Sequence, residues 1–192
     1  MPIARTTEIL DPLEALMAQA VAGFNAPTVA ATRERTATPR PVGVWKNCIE
    51  WLAAGALAIN QANKVLPFAS LAWTFCQFHH VVTPGRKTPD QTIESHVRVA
   101  ARDGQLPTGF AIVSAKERNA RGELNRTGFT VSSDLDAGDS LYDMNPGSVE
   151  RKAFALGVLM GSCDLRAEGK AKAAEYESAI VALATQWHAD RA

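Results

Sequence analysis

The sequence predicts a mainly α-helical fold, a helical bundle of about five to six helices with a short β-hairpin near residues 109–133. Three observations carry this expectation. Apolar residues recur at i, i+3, i+4 and i+7 through most of the chain, the spacing of one helical face. One segment, "TPDQTIESHVRVAARDG", has helix punctuation at both ends. Alternation with period two is confined to "GFAIVS" and "GFTVSS".

At the N-terminus, "DPLEALMAQAVAGF" opens with Asp11 as a cap, Pro12 at the first helical position and Glu14 where a capping box wants it. Leu13, Leu16, Met17, Ala20, Val21 and Phe24 then form one apolar stripe. Residues 25–42, with prolines at 27, 39 and 41, show no periodicity and read as a linker. The organisation expected is an amphipathic arm over 1–24, a linker over 25–42 and a helical globular domain over 43–192. The arm either folds back or docks on another molecule.

Within the domain, Trp45, Cys48, Ile49, Leu52, Ala56 and Ile59 define a first helix, and Phe68, Leu71, Ala72, Phe75, His79 and Val82 a second one starting near Pro67. Asn60, Gln61, Asn63, Lys64 and Pro67 interrupt this apolar stretch, whereas a membrane span needs about 20 apolar residues in succession. Thr88 caps the next helix, placed at 89–103, with Pro89 in its first turn, Gln91 closing a capping box and Gly104 ending it. Ile93, Val97, Ala100 and Ala101 make its narrow apolar strip and leave Arg98 and Arg102 on the wet side. Phe110/Ile112 and Phe129/Val131 alternate as short strands. Between them "SAKERNARGELNRTG" is either a loop or, with Ser114 and Glu117 as a capping box, a short helix. Beyond an acidic turn region, Val149, Ala153, Leu156, Met160 and Cys163 mark a further helix in which Ala153, Gly157 and Gly161 form a small-residue ladder. Glycine costs about 1 kcal/mol inside a helix, so the ladder signals close approach of another backbone. A last helix over 165–189, with Tyr176, Ile180, Leu183, Ala184 and Trp187 on one side, completes a helical hairpin.

The composition, 46% hydrophobic and 21% charged, is that of an ordinary globular chain. Three cysteines, each within an apolar run, read as free buried thiols of a cytoplasmic protein, not as a disulfide scaffold. The first residues lack a signal-peptide core. The net charge is zero but uneven: residues 33–126 carry thirteen basic groups against seven acidic ones, and both flanking segments are acidic. A basic centre between acidic ends suits a polyanion or a complementary protein surface. The sequence pI near 6.9 argues against indiscriminate nucleic-acid binding.

No motif supplies chemistry. "CQFHH" puts Cys76 and His79 three apart with His80 beside them, but zinc needs three or four converging ligands and no second pair exists at a recognisable spacing. An EF-hand loop starting at Asp134 needs Gly and Glu where Asp139 and Asn145 stand. There is no nucleophile elbow and no glycine-rich phosphate cradle. The sequence therefore assigns no catalytic residue, no metal and no cofactor, and predicts a protein that is not an enzyme.

The function expected is a non-catalytic helical subunit or adaptor of a larger assembly, such as a nucleoprotein complex. Its basic surface, Lys87, Arg98, Arg102, Lys116, Arg118, Arg121 and Arg126, would contact DNA, RNA or an acidic partner. Leu13, Leu16, Met17 and Val21 of the arm, with Ala153, Gly157 and Gly161, would meet protein subunits or a second copy, and no membrane is involved. One alternative is a DNA-binding protein whose helix 89–103 and basic segment form a helix-turn-helix variant over 89–132, with "GFTVSS" in a wing. Another is a small metal-dependent enzyme using Cys76, His79 and His80.

Overall fold

The computed structural model describes residues 43–81, 88–113, 127–135, 142–164 and 166–192. Among them are five helices, α1 (Val44–Ala58), α2 (Phe68–His79), α3 (Pro89–Arg102), α4 (Val149–Ser162) and α5 (Ala167–Ala189). Three short strands join them: β1 (Leu66–Pro67), β2 (Phe110–Val113) and β3 (Gly128–Val131). The protein is mainly helical with a small antiparallel sheet, as the periodicities imply.

The sheet has the order β1-β3-β2. Phe110 faces Val131 and Val113 faces Gly128 in the β2/β3 pair, which is the expected hairpin. The third strand carries no sequence signal, because two residues cannot display a period. Leu66 pairs with Phe129 and Pro67 with Gly128. Proline is tolerated there because β1 is an edge strand, where a missing N–H leaves no ladder bond unmade. The turn before it holds Asn60 and Asn63 at positive φ, and the Asn63 N–H donates to the Val131 carbonyl at 2.7 Å, pinning the end of α1 onto β3.

The core begins at Trp51. Its ring is fully buried, with Phe154 of α4 at 5.1 Å and Phe75 of α2 at 5.8 Å between centroids. Phe154 lies directly on the backbone of α1 at Gly55, where any Cβ would strike its ring. Three helices therefore meet on one aromatic cluster. On the sheet side, Phe129 stacks on Phe110 at 5.3 Å and meets Phe68 edge-on at 6.4 Å. A second cluster, centred on Phe78, Leu156, Ile180 and Leu183, joins α2, α4 and α5.

The helical hairpin forms between α4 and α5 as the sequence indicates, and α4 also packs along α2. Sandwiched in this way, α4 is buried on nearly every side, down to Glu150 and Arg151 in its first turn. Helical spacing alone predicts a narrower stripe. No helix among the described residues is long and apolar enough to cross a membrane.

Gly55→Ala should lower the free energy of unfolding by roughly 1–3 kcal/mol, the range for overpacked sites. In a urea titration, Phe154→Leu in the same chain should recover part of that loss; strict additivity of the two changes would show that the Gly55–Phe154 contact does not limit packing.

Candidate nucleic-acid interface

The helix α3 is a two-faced element. Thr88 caps it, with the Thr88 N–H donating to Gln91 Oε1 at 3.3 Å in the capping box, and Pro89 fills the first helical position. Ile93, Val97 and Ala100 are buried. At about 100° per residue, the direction opposite this stripe belongs to positions 91, 95, 98 and 102. Those positions hold Gln91, Ser95, Arg98 and Arg102, all exposed.

The exposed arginines are differently held. Arg98 donates from Nε and Nη2 to Glu94 Oε1, at 3.0 and 2.7 Å, and from Nη2 to Thr127 Oγ1 at 3.1 Å, so its guanidinium bridges α3 and the residue preceding β3. Arg102, with a side chain 74% exposed, pairs among the described residues with its neighbour Asp103 at 2.9 Å. Lys87, Lys116, Arg118, Arg121 and Arg126 lie outside the described residues, in the connections 82–87 and 114–126 that join α2 to α3 and β2 to β3.

Among the described residues α3 packs against α2 and, less extensively, against α1. The basic segment expected to complete a helix-turn-helix with α3 lies outside the described residues. Residues 80–88 join α2 to α3, more than the three or four of the usual turn. Along the chain the order is helix, strand, helix, helix, strand, strand, with the hairpin following α3.

The small-residue ladder of α4 makes its close approach within the chain. Ala153 is fully buried, the surface at Gly157 is covered by Leu71 and Thr74, and that at Gly161 by Pro67 and Ser70. Leu13, Leu16, Met17 and Val21 lie outside the described residues.

The "CQFHH" residues diverge. Cys76 is buried, with its thiol pushed up to about 12 by desolvation and, secondarily, by Asp90. His80 takes the left-handed conformation that ends α2 and stacks on His188 of α5 at 3.8 Å. His79 packs its ring against Phe75, Tyr142 and Trp187 at 4.5, 5.2 and 5.7 Å. Burial lowers its pKa from 6.5 to about 4, and His188, Arg191 and His80 push in the same direction. At neutral pH the ring is uncharged, so its 3.8 Å approach to Glu150 is not an ion pair. Among the described residues no group of three His, Cys, Asp or Glu side chains is arranged to hold a metal ion.

Nearby, a cleft of about 210 Å3 is lined by Asp143, Ser148, Glu150, Trp187 and Arg191. This is below the range of roughly 300–1,000 Å3 for small-molecule sites. Much of its polarity is engaged in capping the start of α4: Ser148 Oγ accepts from the Arg151 N–H and donates to the Asp143 carbonyl, while Glu150 Oε2 accepts the Asp143 N–H at 2.7 Å. Arg191 lies 4.0 Å over the Trp187 ring. The buried glutamate had no signal in the sequence, where it reads as a solvated first-turn acid.

The thiols should divide by burial. Cys48 and Cys76 are buried, whereas Cys163 is half-buried, contrary to the reading of all three as core. A thiol reagent at pH 8 should modify Cys163 in the native protein and reach all three only in denaturant; rapid native modification of Cys76 would contradict this packing. The His79 shift sets a second expectation. Because the unfolded chain takes up this proton near 6.5 and the folded one only near 4, the stabilisation is complete above pH 6.5 and is lost as pH falls towards 4. It amounts to at most about 3 kcal/mol. His79→Gln should flatten the stability curve across that window, measured by urea unfolding at successive pH values. An unchanged slope would assign the acid limb to other groups.

Comparison of the chain with protein-family models, with curated proteins and with solved structures finds no match.

Proposed function

We propose that this protein is a non-catalytic nucleic-acid-binding subunit of a larger assembly, and that it contacts double-stranded DNA through α3 and the hairpin beside it. The observation that carries the reading is the exposed face of α3. Gln91, Ser95, Arg98 and Arg102 are residue types that hydrogen-bond base edges or phosphates, and they project opposite the stripe that anchors the helix. Support comes from the order of elements, with α2 packed on α3 and a hairpin following it, which is the order of a winged helix-turn-helix with a longer connection between the two helices. That support is a likeness of fold, and the residues on α3 are what turn it towards function. The connection before α3 carries Lys87, and the one between β2 and β3 carries Lys116, Arg118, Arg121 and Arg126, a supply of phosphate contacts.

The assembly role rests on the apolar stripe of Leu13, Leu16, Met17 and Val21. Two buried free thiols suit a reducing, cytoplasmic compartment.

Fluorescence anisotropy with a labelled duplex should give binding that weakens steeply between about 50 and 200 mM salt, as released counterions require. Exchanging Arg118 and Arg121 together for Glu should abolish it. Binding that ignores salt, or that survives the double exchange unchanged, would sink the proposal.

A further inference from the structure

We propose that Arg98 sets the base preference of this interface by reading the major-groove edge of guanine, with Glu94 and Thr127 as positioning residues; the inference rests on the duplex-binding reading above. An arginine offers five N–H donors in a planar fork. In Arg98, Nε and Nη2 are committed to Glu94 and Thr127, and among the described residues no partner is seen for Nη1.

An exposed i, i+4 ion pair is commonplace and worth only a few tenths of a kcal/mol. The second anchor is what distinguishes this one. Glu94 belongs to α3 and Thr127 adjoins β3, so two separate elements define the plane of the guanidinium before any ligand arrives. A fork fixed in advance loses less freedom when it forms a bidentate pair.

The same contacts argue for a base and against a phosphate. Glu94 offsets the charge of Arg98 and would itself be repelled by the DNA backbone, which weakens the long-range attraction that phosphate contacts exploit. Hydrogen-bond direction survives that neutralisation. Guanine presents O6 and N7 as adjacent acceptors, the pair that an arginine fork matches best. The two N–H groups of Nη1 donate to O6 and N7, while Nε and Nη2 stay on Glu94 and Thr127 and hold the plane. Arg98 also occupies the middle of the exposed face, one helical turn from both Ser95 and Arg102. Arg102, held among the described residues by its neighbour, lacks this preparation and suits a phosphate.

The test begins with selection of duplexes from a randomised pool by the full chain. Anisotropy then compares the unaltered protein with Arg98→Ala, Glu94→Gln, Thr127→Val and Arg102→Ala on the selected duplex. Each is also measured on duplexes in which 7-deazaguanine replaces single guanines and removes the N7 acceptor. Circular dichroism checks that helical content is equal. At one guanine the replacement should weaken the unaltered protein roughly 10- to 100-fold and leave Arg98→Ala indifferent. Glu94→Gln and Thr127→Val should reduce that discrimination without changing the salt dependence, whereas Arg102→Ala should weaken all duplexes alike and lower the salt slope by about one. Retention of the base preference in Arg98→Ala would overturn the proposal. So would duplex binding by the unaltered protein without any base preference, which leaves the duplex-binding reading standing. Failure of the unaltered protein to bind any duplex would overturn both.

Discussion

The Phe154 ring resting on the α1 backbone at Gly55 is the contact on which the rest of the molecule depends. Through it α4 reaches the floor of the first core cluster and touches Trp51, which in turn meets Phe75 of α2. The α4–α5 hairpin is thereby fused to the α1–α2–α3 unit and shares one interior with it. Aromatic side chains provide the area and the edge-on geometry that such a junction needs. Among the described residues the buried Trp51 Nε1 atom has no hydrogen-bond partner, so the contacts seen for this side chain are those of its ring.

Given that platform, α3 is free to be anchored on one side only. Three small or branched apolar residues, Ile93, Val97 and Ala100, hold it, and the remaining circumference is available to solvent or a ligand. The narrowness of the stripe is what gives the helix its second face. Charge on that face is internally balanced, since Arg98 and Arg102 each have a carboxylate at hand. On the duplex-binding reading proposed above, long-range attraction would come chiefly from the basic residues of the connections 82–87 and 114–126, with α3 supplying directional donors.

Much of this was legible in the sequence where local chemistry governs. The Thr88–Gln91 capping box, the Phe110/Ile112 and Phe129/Val131 alternation and the Tyr176-to-Trp187 stripe follow from rules that act over a few residues, and the structure has each of them. What escaped depends on distant partners. Leu66 and Pro67 become a strand only because Phe129 and Gly128 lie beside them. The small-residue ladder signals a close neighbour, yet nothing local says whether that neighbour is α2 or another molecule. Glu150 looks like a solvated acid until Asp143 and His79 close around it. The exposure of Arg98 was readable from the helical wheel; its tether to Thr127, 29 residues on, was not.

The pairing of Leu66 with Phe129 and Pro67 with Gly128 also orders events during synthesis. A chain emerging from the N-terminus can make α1, α2 and α3 from local contacts, but β1 has no template until β3 has left the ribosome. Closing a loop of that length carries an entropic cost that only the finished hairpin can repay. Until then the apolar side chains of α1 and α2 that await Phe129 and Phe154 remain without their permanent neighbours. The nascent protein therefore passes through an interval in which its future interior is accessible to chaperones or to other chains; residues 128–154 close the first cluster, and Phe78 waits longer, for Ile180 and Leu183 of α5.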